Sequence, residues 1–133
     1  MRCSFLISGV LLLCLVSCAP PKSAEELVFE RATARWALMK DGEYEEAWEY
    51  YAPGFRQSTS REAFARDAAR RQTAITGGTV VEVTCEPEGA RCEVTTELGY
   101  RLLAGPASLR GLESQRMIRE RWIYIDQNWW YSS

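Results

Sequence analysis

Apolar and polar residues follow two different periods along this chain, first a helical one and then an alternating one. From Ser23 to about Lys40, apolar side chains recur every three or four residues, which predicts an amphipathic helix. Ser23 followed by Glu26 has the spacing of a capping box at the start of a helix, and Asp41-Gly42 marks its end. The predicted inward stripe contains Val28, Ala32, Trp36 and Met39.

Two shorter helices are expected next. One covers about residues 43–51 and is ended by Pro53-Gly54. The other begins with a capping pattern at residues 59–62 and runs to about Thr73, after which Gly77-Gly78 interrupts the chain. The predicted inward positions of the two helices are Tyr44, Ala47, Trp48, Tyr51, Phe64 and Ala68.

Beyond these glycines the period changes to strict alternation, which is typical of strands with one buried face. The expected strands cover residues 79–86, 91–103, 114–126 and 129–132. Asp126-Gln127-Asn128 predicts a tight final hairpin. Helices followed by a run of antiparallel strands predict a single α+β domain over residues 24–133, with the helices packed on one face of the sheet.

Cys85 and Cys92 end and begin two predicted strands, on either side of the turn-rich segment 86–91. A disulfide between them also pairs Val81 with Thr96, so the bond and the strand register agree. The alternatives are two free thiols or half of a metal site, but the domain has no His and no further Cys to complete a zinc site. A structural disulfide is therefore the favoured interpretation.

Composition narrows the classes of function. Hydrophobic residues make up 47% of the chain and charged residues 26%, which is typical of a folded domain rather than a disordered one. The net charge of −2 argues against a nucleic-acid-binding protein, which needs a basic face. The chain has no His and so lacks the commonest general base and metal ligand. We predict no metal and no cofactor.

The N-terminal segment has the pattern of an export signal. An apolar run over residues 5–16 is shorter than the roughly 20 residues that a membrane-spanning helix needs. It ends in Leu15-Val16-Ser17-Cys18, which resembles the lipobox of bacterial lipoproteins. The resemblance implies that residues 1–17 are cleaved off between Ser17 and Cys18, that the Cys18 thiol carries a diacylglyceryl group, and that the new amine is often acylated too.

This resemblance also implies a location in the cell envelope. Two or more acyl chains hold a protein stably at a membrane, and residues 18–23 would form a short extended spacer. Ala19 stands where lipoproteins retained in the inner membrane of enteric-type bacteria have Asp, so the periplasmic face of the outer membrane is favoured. The alternatives are an ordinary signal peptide with a chance cysteine and an uncleaved anchor.

The order of elements supports a second resemblance. A long helix, the segment Asp41-Gly42-Glu43-Tyr44, a third helix opening at Ser60 and a sheet ending in residues 122–131 resemble the nuclear transport factor 2-like superfamily. This implies a cone in which a curved antiparallel sheet of about four strands wraps a cavity closed by the helices. Enzymes of the superfamily usually place an Asp in the cone, often with a His or Tyr, whereas this chain offers only Asp126, at a turn. The superfamily's non-catalytic binding and dimerisation modules fit better.

Glu120 is the one candidate for catalysis. It lies between Ile118 and Trp122 on an alternating strand face, so a carboxylate inside a cavity could act as a general base. The favoured alternative is a carboxylate at the rim of the sheet, paired with an arginine on the neighbouring strand such as Arg101. Glu97 calls for the same caution, because its side chain could simply face water.

Aromatic side chains offer walls for an apolar ligand. The ligand-pocket candidates are Trp36, Trp48, Trp122, Tyr124 and Trp130, although core packing explains the same spacing. Trp129-Trp130-Tyr131 must turn at least one ring outward, which suits a homodimer or partner surface or cover by the first helix. Arg66, Arg70 and Arg71 form either a solvated helix face or a contact to anionic lipid headgroups.

The sequence thus favours a non-catalytic, membrane-anchored lipoprotein whose domain binds a partner protein or a small apolar ligand. An isomerase- or dehydratase-like enzyme with a buried carboxylate is the first alternative. A helical-repeat adaptor is the second, because residues 40–51 look like one helix pair of a tetratricopeptide repeat. Such arrays need about three repeats, and this is the one candidate.

Overall fold

Helices occupy the first half of the described chain and strands the second. The computed structural model describes residues 20–133, and within this range four helices precede four strands. The helices are α1 (Ala24–Asp41), α2 (Tyr44–Trp48), α3 (Pro53–Ser58) and α4 (Arg61–Ala69). The strands are β1 (Thr73–Cys85), β2 (Arg91–Leu102), β3 (Glu113–Ile125) and β4 (Asn128–Ser132). The predicted α+β class is confirmed, whereas the lipobox, the cleavage site and Cys18 lie outside the described residues.

The long helix α1 begins and ends where the sequence predicts. The Ser23 hydroxyl accepts a hydrogen bond from the Glu26 amide at 3.2 Å, and the Glu26 carboxylate accepts one from the Ser23 amide at 2.7 Å. Gly42 ends the helix in the left-handed region, with φ at 78°, which costs glycine little. The predicted apolar stripe is buried, and so is Arg35, which the pattern did not place inside.

The short helices differ in part from the prediction. The helix expected over residues 43–51 is limited to α2. Pro53 begins α3 instead of only ending the preceding helix. A proline is favourable at the first helical position because its φ is preset and because an amide there has no partner to lose.

The transition from helix to sheet comes earlier than expected. Ser60 caps α4 by accepting a hydrogen bond from the Ala63 amide at 3.1 Å, and the helix ends at Ala69. The chain has already entered β1 at Thr73. Gly77-Gly78 therefore lies inside a strand and does not break the chain.

The four strands form an antiparallel sheet in the order β1-β2-β3-β4. The final hairpin turns through Asp126 and Gln127, which both have positive φ, at 50° and 61°. Positive φ at both central residues is the requirement of a type I′ turn. At the same end of the sheet, Cys85 faces Cys92 and the two form a disulfide.

One predicted pairing is wrong by one residue. Thr96 faces Val80 instead of Val81, because the register shifts between Val80 and Glu82. An inserted residue of this kind is a β-bulge, and it reverses which side chains face the core. Val81 is consequently 57% exposed, whereas Val80 is 8% exposed.

The helices cover one face of the sheet and bury two apolar clusters along it. The first cluster lies toward the disulfide and contains Val28, Ala32, Val80, Cys92, Val94, Trp122 and Trp129. The second lies toward the other end of α1 and contains Trp36, Met39, Ala47, Tyr51, Phe64 and Leu98. Because the helices pack on a sheet, the helical-repeat alternative is wrong. Among the described residues, no helix is both long enough and apolar enough to cross a membrane.

Candidate functional site

Glu120 is buried beneath α1, where three side chains donate hydrogen bonds to its carboxylate. Its side chain is 2% exposed, although the sequence favoured a rim position. Arg35 Nη1 donates to Oε1 at 2.7 Å, while Trp36 Nε1 and Thr96 Oγ1 donate to Oε2 at 2.7 Å and 2.8 Å. The prediction of a rim carboxylate paired with Arg101 is therefore wrong.

The physical reason is the parity of the strand. Glu120 lies on the same face of β3 as the fully buried Trp122, so its side chain must point under the helices. Arg101 lies on the other face of the sheet and pairs with Glu113 at 3.1 Å. Glu97 also points outward and is exposed, as the simple explanation predicts.

Arg35 is held in a cage of aromatic rings. Its guanidinium carbon lies 3.8 Å from the ring centroid of Tyr131, with the rings of Trp36 and Tyr51 at 4.6 Å and 5.1 Å. Its Nη2 also donates to the Tyr51 hydroxyl at 3.2 Å. The rings and the Glu120 carboxylate together offset the cost of removing this cation from water.

Tyr131 connects this cluster to the last strand. Burial raises the pKa of the Tyr131 phenol above its ordinary value of 10.0, and the nearby Arg35 and Arg71 partly oppose that shift. The phenol is therefore neutral at physiological pH and can donate a hydrogen bond. Its backbone is fixed by Tyr50 and Ala52, since its amide donates to the Tyr50 carbonyl and its carbonyl accepts from the Ala52 amide.

A cavity of about 440 Å³ opens beside the buried pair, between the helices and the sheet. This volume lies within the usual range of small-molecule pockets, roughly 300–1,000 Å³. Ile75, Leu98 and Ile118 supply apolar wall, and the tyrosines 51, 100 and 131 supply hydroxyl groups. Arg35 and Glu120 form part of the wall, and Arg71 and Arg116 lie further along it.

A larger depression of about 910 Å³ lies on the opposite face of the sheet, near the disulfide. Its wall is dominated by exposed charges of both signs, among them Arg91, Arg121 and Glu86. Arg119 approaches Glu93 there to 3.7 Å. Exposed charges that balance one another are well solvated by water and offer little to a ligand. The smaller cavity is therefore the better candidate site.

The five predicted pocket aromatics fall in different places. Trp36 lies in the wall of the cavity. Trp122 is fully buried in the core under α1, and Tyr124 is 45% exposed near the final hairpin. Trp48 is partly buried and donates its indole N–H to the Thr59 carbonyl at 2.8 Å. The latter three are not part of the wall.

Trp130, the fifth of these aromatics, is covered by cations instead of lining the cavity. The guanidinium groups of Arg56 and Arg31 lie 4.5 Å and 5.3 Å from its ring centroid. The Trp130 ring is thus partly covered by side chains of α1 and α3, and is not fully open to solvent as an outward ring would be. Of the predicted arginine face, Arg66 and Arg70 are exposed to solvent, and Arg71 borders the cavity.

Sequence reasoning missed the arginine at the centre of the site. Arg35 follows Ala32 by three residues and precedes Met39 by four, so it lies on the inward stripe of α1. A charged residue at an apolar position of a helix is the signal that could have identified it. Thr96 was placed correctly on the inward face of β2, and it is fully buried.

The comparisons with known proteins support the fold and add nothing on the ligand. No protein-family model matches the chain, and no curated protein sequence matches it. The fold is similar to that of RPA3114, a SEC-C motif containing protein from Rhodopseudomonas palustris, known from a solution structure. The TM-score is 0.57 at 14% identity, over 83% of this chain and 77% of that one. At such identity the likeness is one of fold alone.

Proposed function

We propose that this protein is an envelope lipoprotein, anchored through Cys18, whose domain binds a small apolar ligand without transforming it. The domain is proposed to be a nuclear transport factor 2-like cone. The cavity between helices and sheet supports ligand binding, because its volume and its apolar wall suit a small molecule.

The state of Glu120 is the observation that argues against catalysis. A general base must accept a proton from its substrate, but this carboxylate already accepts three hydrogen bonds. Two of them occupy both lone-pair positions of Oε2, and the third ties Oε1 to Arg35. These contacts support a role for Glu120 as a fixed anchor for Arg35 and Trp36, and they favour binding over the isomerase-like alternative.

Ligand binding can be tested with a fluorescent apolar dye. The full chain would be reconstituted in nanodiscs of uncharged lipid and titrated with N-phenyl naphthylamine or with anilinonaphthalene sulfonate, and empty nanodiscs would be subtracted. Ile118→Trp fills the cavity wall, whereas Ile123→Trp adds the same ring on the other face of β3. We expect saturable binding that Ile118→Trp abolishes and Ile123→Trp preserves, with circular dichroism showing that both variants fold. No saturable binding of either dye would overturn the proposal.

Anchoring through Cys18 needs a separate test. Expression of the whole precursor in a Gram-negative host with labelled palmitate should yield a labelled protein whose mass corresponds to a chain starting at Cys18. Cys18→Ala should abolish the label, and Cys14→Ala, which removes a cysteine of the cleaved leader, should not. Label that persists in Cys18→Ala, or a chain that still starts at Met1, would contradict the proposal.

A further inference from the structure

The charges around the cavity do not balance. Among the described residues, its wall contains Arg35, Arg71, Arg116 and Arg119 but only one acidic residue, Glu120. Glu120 is already neutralised by Arg35, and Arg119 points to the other face of the sheet, toward Glu93. Arg71 and Arg116 form no salt bridge with any acidic residue of the described segment. This local excess of positive charge contrasts with the net charge of −2 of the whole chain.

A second observation comes from the buried part of the wall. Arg35 is 3% exposed and uses Nη1 and Nη2 in hydrogen bonds, but its Nε–H has no partner within the described residues. A buried donor without an acceptor is costly. The Nε–H groups of Arg31 and Arg56, which do not line the cavity, share this lack, so the charges and not this donor carry the inference. The wall thus contains one buried arginine, Arg35, and two exposed ones, Arg71 and Arg116.

The sheet side of the cavity, where Arg116 faces Leu98, also has an apolar part. Ile75, Leu98 and Ile118 come from three adjacent strands and form one continuous surface, with the Trp36 ring beside it. A ligand that satisfies both parts must carry an apolar group and an oxyanion. Guanidinium groups suit carboxylate, sulfonate and phosphate oxygens in particular, because their planar donors can pair with two oxygens at once.

Resting on the proposed function, we infer that the ligand of this cavity is an amphipathic anion. Its apolar part packs against Ile75, Leu98 and Ile118, and its oxyanion binds between Arg71 and Arg116. This assignment makes Arg71 and Arg116 the residues that select the ligand by charge.

The test uses two dyes that differ by a single group. Anilinonaphthalene sulfonate carries a sulfonate that N-phenyl naphthylamine lacks, and both would be titrated into the full chain in nanodiscs of uncharged lipid. We expect the sulfonated dye to bind at least about tenfold more tightly, the effect of one well-placed charge contact. The double variant Arg71→Gln/Arg116→Gln should remove this advantage, so that the two dyes bind with equal affinity.

The matched control removes the same number of charges elsewhere. Arg101→Gln/Arg121→Gln lies on the outer face of the same sheet, so it changes the net charge equally without touching the cavity. It should leave the preference for the sulfonated dye intact. Equal binding of the two dyes, or equal loss in the two double variants, would overturn the inference while the proposed function stands. Binding of neither dye would overturn both, and displacement of the bound dye by an equal concentration of inorganic sulfate would show that the apolar wall is not needed.

Discussion

At the scale of single residues, Tyr131 has an environment that a phenol rarely finds. Its ring stacks on the Arg35 guanidinium and meets the Tyr51 ring edge-on at a centroid distance of 4.9 Å. Burial raises the pKa of the Tyr131 phenol. A phenol whose pKa is higher in the folded state than in the unfolded state stabilises the fold fully below the ordinary phenol pKa. That contribution is lost as the pH rises through the higher pKa of the folded protein.

Tyr131→Phe keeps the ring and removes only the titrating hydroxyl. We expect the tyrosine that ionises at the highest pH to disappear from a tyrosinate absorbance titration. The alkaline loss of stability, followed by urea unfolding at increasing pH, should become shallower. Tyr124→Phe is the control, because it removes an exposed tyrosine and should leave the late titration in place. An unchanged late titration in Tyr131→Phe would show that another group is responsible.

The residues of the site show where sequence reasoning stops. The inward positions of Glu120 and Thr96 follow from strand alternation alone. The arginine that pairs with Glu120 could not be found in this way, because Arg35 lies 85 residues before Glu120 and on another element. Arginine is also among the residues least often buried without a partner, so its burial becomes intelligible only after the carboxylate is in place.

At the scale of elements, β1 depends on a close approach between its backbone and α1. A Cβ atom built on Gly78 would lie 2.6–2.9 Å from atoms of the Trp36 side chain, closer than real side chains come. The strand therefore needs glycine here for space and not for a turn. This also explains why the glycine pair was mistaken for a break between elements.

The two adjacent glycines give a matched experiment. Gly78→Ala should lower the free energy of unfolding by about 1–3 kcal/mol, the usual cost of overpacking a filled core. Gly77→Ala has no neighbour within 4 Å of the added Cβ, so it should change stability by less than about 1 kcal/mol. Chemical denaturation of the three proteins measures the difference. Equal effects would contradict the close approach of Trp36 to β1.

Most element types were predictable, and the exceptions have local causes. α1, the last three strands and the final hairpin follow from periodicity, capping and turn residues. The start of β1 did not, because the register shift between Ile75 and Gly77 and the two glycines hide the alternation there. α3 was missed because Pro53 serves equally well as a helix stop and as a first helical residue.

At the scale of the whole molecule, the Arg35–Glu120 pair is a buried ionic link between the helix layer and the sheet. It joins α1 to β3 through a contact whose side chains are 3% and 2% exposed. Such a pair adds little net stability over apolar residues, but a charge left alone after removal of its partner is very costly.

Glu120→Ala should therefore destabilise the protein by about 3–5 kcal/mol, because it leaves the buried Arg35 guanidinium without its counter-ion. The double variant Arg35→Met/Glu120→Leu should recover part of that loss. Glu113→Ala breaks an exposed pair with Arg101, whose side chains are 48% and 65% exposed in the order Arg101, Glu113, and should cost no more than about 1 kcal/mol. Urea unfolding of these variants decides the matter. A Glu120→Ala variant as stable as Glu113→Ala would show that the buried pair does not hold the layers together.

The length of α1 sets how far the cavity can stand from a membrane that holds the N-terminus. The helix has 18 residues, which corresponds to roughly 27 Å at 1.5 Å per residue. Its first turn lies at the disulfide side of the sheet, and Arg35 and Trp36 lie toward its far end. With acyl chains on Cys18 and α1 directed away from the membrane, the arginine-lined entrance would stand beyond the reach of headgroup charge, which fades over about 8 Å in physiological salt. In that orientation the protein would take up its ligand from the surrounding solution or from a carrier protein, and not directly from the bilayer to which it is anchored.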